Sequence, residues 1–166
     1  MLLNDLHQSH SLLSSKEKAL RVTNDFNLTM KNPSLTLLVA HRKGSVLTVD
    51  FQESSLRGIF NPYNNIFFLS IKDSVAYQNM TLALLLASSL IYEKSLLKKP
   101  WKARIPVQSF YSFALKNYDI AVCAAYLALP ALQPIPPAFT KDQMAAKEKV
   151  PVEFYIFREG LEHKKD

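Results

Sequence analysis

Residues 82–87, Leu-Ala-Leu-Leu-Leu-Ala, form an unbroken apolar stretch inside a segment that favours a helix. Asp73 or Ser74 can cap this helix, which is predicted to begin near Val75 and to end near Leu97. A helix that is apolar on every side has to be buried on every side. The sequence therefore predicts a long central helix with the rest of the chain packed around it.

A second long helix is predicted from about Gln108 to Leu129, ending at Pro130, which cannot continue a helix. Its middle, residues 121–125, reads Ala-Val-Cys-Ala-Ala. Small side chains allow two helices to approach closely, so this helix is expected to pack against the central one.

The N-terminal third is predicted to contain one helix and then strands. Ser14-Ser15-Lys16-Glu17 has the spacing of a capping box, and the helix that follows should end before Asn32-Pro33. Its apolar face would carry Ala19, Val22, Phe26 and Met30. Residues 35–40 and 46–51 are rich in β-forming side chains, and the turn formers between them predict a hairpin. A second hairpin is predicted for residues 58–69, where Gly-Ile-Phe and Ile-Phe-Phe-Leu flank the turn residues 61–65.

The C-terminal part is predicted to be an arm less rigid than the body, which docks as a strand or lies on a partner. The prolines within residues 134–137 indicate an extended connector, and Val152–Phe157 reads as a final strand or an arm. The expected class is α+β, with an N-terminal helix, a small antiparallel sheet and two long packed helices. The 166 residues suit a single domain. A mobile N-terminus is expected at 1–13, and a proline-rich connector with a C-terminal arm at 133–166.

Composition argues against several classes of function. Three glycines are too few and too scattered for a phosphate-binding loop. The single cysteine cannot form an internal disulfide, and the N-terminus has no basic and apolar signal pattern, so a cytoplasmic protein is expected. The apolar stretch from Leu82 to Ala87, when extended to Ile91, is about half the roughly 20 residues that span a bilayer. The net charge of +6 is moderate, and the aromatic residues do not alternate with Lys or Arg, so nucleic acid is not an expected partner.

The residue types that carry most enzymatic chemistry are sparse. His7 and His10 have the i, i+3 spacing of a metal pair, but surface histidines are the favoured interpretation. His41 is predicted to end a strand. Cys123 lies among alanines and is expected to be a buried small side chain rather than a nucleophile. No serine lies in a nucleophile-elbow motif.

Two stretches together resemble a known family. Residues 58–69, GIFNPYNNIFFL, and residues 81–88, TLALLLAS, are similar to small bacterial zincin-type metallopeptidases. In that family a hairpin of the pattern G-x-[YF]-[DN]-P-x-x-N-x-I-x-L precedes a helix that reads T-L-A-H-E-L-R-H. A later helix carries an acidic residue, often within E-A-D-A. The similarity covers about residues 50 to 130 and implies a zincin-like fold.

The chain departs from that family at the residues that bind metal. Leu84 and Ser88 stand where the family has its two histidines, and Leu85 stands at the glutamate position. In the later helix, Asn117 occupies a glutamate position while Asp119 is retained. Zinc catalysis needs two imidazoles on one helix face and a carboxylate base. The resemblance therefore implies a degenerate member without H-E-x-x-H, without a metal and without a cofactor.

Two functions from different classes follow from these residues. The first is a non-catalytic interaction or structural protein, an adaptor, regulator or assembly subunit with a protein partner. The alternative is an enzyme with an unrecognised site in the cleft near Ser88, Tyr92, Asn117 and Asp119. An unrelated α+β protein, including a weak binder of acidic partners or nucleic acid, is a further interpretation.

Overall fold

The computed structural model describes residues 14–24, 34–92, 100–104 and 110–163. Helices and strands alternate irregularly along these residues and place the chain in the α+β class, as predicted. In chain order they are α1 (residues 14–24), α2 (Leu35–His41), β1 (Ser45–Val49), β2 (Leu56–Asn61), β3 (Ile66–Ser70), α3 (Val75–Ile91), β4 (Trp101–Arg104), α4 (Phe110–Lys116), α5 (Tyr118–Ala128), α6 (Lys141–Lys147) and α7 (Val152–Glu162).

The four strands form one mixed sheet in the order β1-β3-β2-β4. β2 pairs antiparallel with β3 and with β4, whereas β1 pairs with β3 in parallel. The predicted fully antiparallel sheet is therefore wrong in its first strand. The strand β4 was not predicted.

The predicted hairpin over residues 35–51 is also wrong, because its first half is the helix α2. The Ser34 side chain accepts a hydrogen bond from the Leu37 amide and caps this helix. Leu38 and Val39 are buried on one side of the helix. A mostly apolar run of six residues is too short for its periodicity to distinguish a helix from a strand. His41, predicted to end a strand, is the last residue of α2.

The predicted hairpin over residues 58–69 is confirmed by β2 and β3. The Asn61 side chain accepts a hydrogen bond from the Tyr63 amide, and Asn65 adopts the left-handed conformation that ends the turn. Phe60 and Phe67 lie opposite each other across the two strands, with ring centroids 4.6 Å apart.

The central position of α3 is confirmed. Its N-cap is Ser74, whose side chain accepts a hydrogen bond from the Tyr77 amide. All residues from Met80 to Ser88 are buried. The sheet packs on one side of α3 and α5 on another, which explains why its middle is apolar all round. The helix ends at Ile91, and the predicted extension into residues 93–97 lies outside the described residues.

The predicted second long helix is wrong as one continuous helix. It is broken at Asn117 into α4 and α5, although the end before Pro130 is as predicted. The Asn117 side-chain amide donates to the carbonyl of Phe113, 3.2 Å away. The break lies in the backbone of Asn117, whose φ of −133° and ψ of 51° are not helical.

The predicted C-terminal strand is wrong, since Val152–Phe157 is the first half of the helix α7. Phe154, Tyr155 and Leu161 of this helix are buried in the main hydrophobic core. The preceding helix α6 was not predicted, although Thr140 and Gln143 form a capping box at its start.

Some predictions lie outside the described residues, namely those for residues 1–13 with His7 and His10, and for Phe26 and Met30. Within the described residues, no helix is both long enough and apolar enough to span a membrane.

Candidate functional site

The positions that resemble the zincin histidines and glutamate lie in the interior of the protein. Leu84, Leu85 and Ser88 have no exposed surface. The Ser88 hydroxyl donates to the carbonyl of Leu85 in the same helix at 2.6 Å. A side chain without solvent access, whose polar atom already bonds to its own helix, cannot bind a hydrated ion or a substrate.

The positions in the later helices are closer to the surface. Asn117 is half-buried at the break between α4 and α5, and its amide is bonded to the carbonyl of Phe113. Asp119 is exposed in the first turn of α5, where a carboxylate interacts favourably with the helix dipole. Tyr92 ends α3, is 37% exposed, and donates its amide to the Ser88 carbonyl. The hydrogen bonds of Ser88, Tyr92 and Asn117 are thus made within or at the end of their own helices.

Metal-binding side chains are not assembled in the described part of the chain. No three or more His, Cys, Asp or Glu side chains in it lie close enough together to hold an ion. Structural and catalytic zinc sites take at least three such side chains from the protein.

Cys123 is fully buried in α5. Burial raises the pKa of its thiol to about 12, and the nearby positive charge of Lys18 only partly opposes this rise. A thiol that stays protonated at neutral pH is a poor nucleophile.

A polar cluster that the sequence did not predict joins β2 to the start of α3. A bulge in β2, between Leu56 and Gly58, leaves Arg57 without a partner on β4. The Arg57 side chain packs toward α3, with its Nη1 atom 2.6 Å from Oδ1 of Asp73 and its guanidinium carbon 4.6 Å from the Tyr77 ring centre. Arg57 is 7% exposed, so this ion pair is largely shielded from solvent.

Gly58 and Thr81 lie beside that ion pair, where α3 comes very close to β2. A Cβ atom at Gly58 would lie 2.6 Å from Cγ2 of Thr81, and Thr81 follows Tyr77 by one helical turn. The cluster contains a cation, a carboxylate, a phenol and a hydroxyl, but no imidazole or thiol. Its chemistry suits holding α3 on the sheet rather than attacking a substrate.

A second buried arginine connects α7 to the end of α5. Arg158 is 1% exposed and donates to the carbonyls of Leu129 and Pro130 and to the Glu162 carboxylate. Its guanidinium carbon also lies 4.0 Å from the ring centre of Tyr126. These partners occupy all three guanidinium nitrogens, so Arg158 is a structural residue.

The face of the sheet opposite α3 carries an apolar row. Gly58 and Phe60 face α3, so the alternation of side chains directs Ile59 to the other face. Register places Leu47 of β1, Phe68 of β3 and Ile59 of β2 next to one another, followed by Lys102 of β4. Leu47 is 48% exposed, and Phe68 and Ile59 are half-buried. This row, Leu47, Phe68 and Ile59, is called the outer row below.

The two helices with the most extensive contacts to the sheet, α2 and α3, do not cover the outer row. α3 lies on the opposite face, against Gly58, and Val39 of α2 lies near Gly44 and Phe67, which share that face. Within the described part of the chain, neither α2 nor α3 therefore covers the outer row.

No family model, no curated protein and no solved structure matches this chain. The resemblance to zincin-type metallopeptidases therefore stays a prediction from the residues that carry it.

Proposed function

We propose that this protein is a non-catalytic interaction protein that binds a protein partner through the outer row of its sheet. The observation that carries the proposal is the outer row itself, Leu47, Phe68 and Ile59, bordered by the basic Lys102. Apolar side chains in water are costly, and burying them against a partner recovers about 25 cal/mol for each Å².

The burial of Leu84, Leu85 and Ser88 in α3 supports a protein without catalytic activity. Leu84 and Leu85 offer no ligand atom, and the Ser88 hydroxyl is bonded to its own helix. If the zincin resemblance is real, the metal site has become part of the hydrophobic core. The alternative enzyme near Ser88, Tyr92, Asn117 and Asp119 gains no support from these contacts, because Ser88 is inaccessible and Asn117 is bonded locally.

The first test measures metal and activity on the full chain. Zinc content per chain and peptidase activity on a mixed peptide library should both stay at background, because the α3 positions supply no imidazole. One tightly held zinc per chain, or turnover that a chelator abolishes, would contradict the proposal.

The second test measures partner binding through the outer row. Ile59→Glu places a carboxylate beside Lys102 on the neighbouring strand, and this cross-strand pair should preserve the fold. The variant should lose a partner that the wild-type chain captures from its native cell. The matched control is Val75→Glu, which adds the same charge at a position 61% exposed in the first turn of α3.

Partners captured equally by the wild-type chain and by Ile59→Glu would show that the outer row is not the binding surface. Circular dichroism melting of both variants separates a lost partner from a lost fold.

A further inference from the structure

The two edge strands of the sheet differ in how well they are protected against pairing with another strand. Natural edge strands are protected by lysine, proline or a bulge. β4 contains the exposed Lys102, whereas β1, Ser-Val-Leu-Thr-Val, has no charge, no proline and no bulge. Ser45, Leu47 and Thr48 of β1 are exposed. Among the described residues, no strand pairs with the outer side of β1, which leaves this edge available to a further strand.

The backbone of β1 shows which groups face this open edge. The Ser45 amide donates to the carbonyl of Asn65 and the Val49 carbonyl accepts from the amide of Ile71, so these residues direct their polar groups toward β3. Alternation along a strand directs the backbone groups of Val46 and Thr48 away from β3. Val46 and Thr48 therefore each present one backbone N–H donor and one backbone C=O acceptor at the outer edge of β1.

We propose that this edge pairs with β1 of a second copy of the chain, in antiparallel orientation centred on Leu47, to form one eight-stranded sheet. If the chain is an interaction protein, as proposed above, one of its partners is then a second copy of itself. Each Val46 faces Thr48 of the other copy, and each such pair exchanges two hydrogen bonds. All outward backbone groups of β1 are satisfied in this register.

The side chains favour the same register. A two-fold axis perpendicular to the sheet pairs residues of the same face, so Leu47 meets Leu47 of the second copy with Cα atoms about 4.5 Å apart. Leu47 is 48% exposed in the single chain and becomes covered in the pair. The outer row then continues across the axis and doubles in length.

Charge favours the antiparallel direction. Lys43 precedes β1 and Asp50 follows it, so antiparallel pairing brings Lys43 of each copy to the Asp50 end of the other. Parallel pairing would bring like charges together at both ends. Asp50 already forms an exposed ion pair with Lys72, at 2.9 Å. Lys43 therefore favours the antiparallel orientation of the two strands more than it strengthens the dimer. Since β4 is protected, the assembly closes at two chains.

Cysteine cross-linking of the full-length chain tests this register, and the buried Cys123 does not interfere. Leu47→Cys should give a disulfide-linked dimer under mild oxidation, because the two sulfur atoms meet at the axis. Ser45→Cys alone should not, because its counterpart lies four residues further along the second strand, about 14 Å away. A mixture of Ser45→Cys and Val49→Cys chains should cross-link, because these positions face each other.

Sedimentation velocity over a range of concentrations tests the dimer without a cross-link. The wild-type chain should approach twice its mass of 18.9 kDa as concentration rises. Leu47→Lys should raise the dissociation constant roughly ten-fold or more, because two ammonium groups would meet at the axis. Thr48→Pro should act similarly, because it removes an outward amide while leaving the bonds to β3 intact.

Lys43→Glu should weaken the dimer, because the new carboxylate would lie at the Asp50 end of the other copy. A wild-type chain that stays monomeric at every concentration would overturn the dimer, and cross-linking of Ser45→Cys alone would overturn the proposed register. A purified chain that stays monomeric but still captures a partner through Ile59 would overturn the self-pairing and leave the proposed function standing.

Discussion

Gly58 and Gly160 both lie within regular elements, but their surroundings are opposite. A Cβ atom at Gly58 would lie 2.6 Å from Cγ2 of Thr81 and 2.9 Å from the carbonyl oxygen of Phe68. Gly160 in α7 has no atom within 4 Å of the same position. Whether a position requires glycine therefore depends on how closely another element approaches it. The close approach of α3 to β2 requires glycine at position 58, because a Cβ atom on Gly58 would collide with Thr81.

Alanine at these two glycines should change stability in opposite directions. Gly58→Ala should lower the free energy of unfolding by about 1–3 kcal/mol, because the backbone of β3 and the side chain of Thr81 must move. Gly160→Ala should raise it by about 0.5–1 kcal/mol, because alanine is the better helix former. Urea unfolding followed by circular dichroism measures both. Equal effects of the two substitutions would refute the close contact between β2 and α3.

At the scale of elements, α7 is held by a single side chain as well as by its apolar face. Arg158 bonds to the carbonyls of Leu129 and Pro130, which end α5 and have no helical partner. The helix α7, which the sequence suggested as a strand, is thus held to the core by apolar contacts and by hydrogen bonds. These two hydrogen bonds join residues that are 29 and 28 positions apart in the sequence. No local sequence pattern predicts such contacts.

Arg158→Met should destabilise the protein by about 3 kcal/mol. Methionine retains much of the apolar stem but removes the hydrogen bonds from a charged donor, and the α5 carbonyls lose their partner. Amide hydrogen exchange in α7 should become faster than in α3. The matched control is Lys141→Met, which removes the partly exposed ion pair with Glu159 and should lower the unfolding midpoint much less than Arg158→Met does. Equal midpoints for both variants would show that Arg158 does not hold α7.

At the scale of the whole molecule, several weak acids are held neutral in the core. Burial is the main cause that raises the pKa of Cys123, Tyr126 and Tyr155. A group whose pKa is higher in the folded state loses its proton first in the unfolded chain. Its contribution to stability is complete below the unfolded pKa and falls as pH rises above that value.

The free energy of unfolding should therefore fall at alkaline pH. The fall should begin near pH 9.0, the ordinary pKa of a cysteine thiol. One such thiol loses about 1.4 kcal/mol for each pH unit above its unfolded pKa, or about 2 kcal/mol by about pH 10.5. Cys123→Ala should reduce the difference in unfolding free energy between pH 8 and pH 10.5 by that amount. A difference equal to that of the wild-type chain would show that the thiol is not buried in a neutral form.

Local patterns in the sequence determined the elements whose signals are complete within a few residues. The turn formers at 61–65 specified the β2–β3 hairpin, and the hydroxyl of Ser74 specified the start of α3. The all-round apolar composition of residues 82–87 required a buried helix, since no other placement removes those side chains from water. The same residues predicted that Leu84 and Leu85 cannot bind a metal, because leucine has no ligand atom.

Tertiary structure decided the elements whose patterns suit more than one conformation. Residues 35–40 and 152–157 are short, mostly apolar runs that could form a helix or a strand, and packing against the core made both helical. The parallel pairing of β1 came with the strand order, because β3 lies between β1 and β2 and is parallel to β1 but antiparallel to β2. The ion pair of Arg57 with Asp73 and the open edge of β1 likewise depend on contacts between residues distant in sequence. Such contacts exist only after the chain has folded.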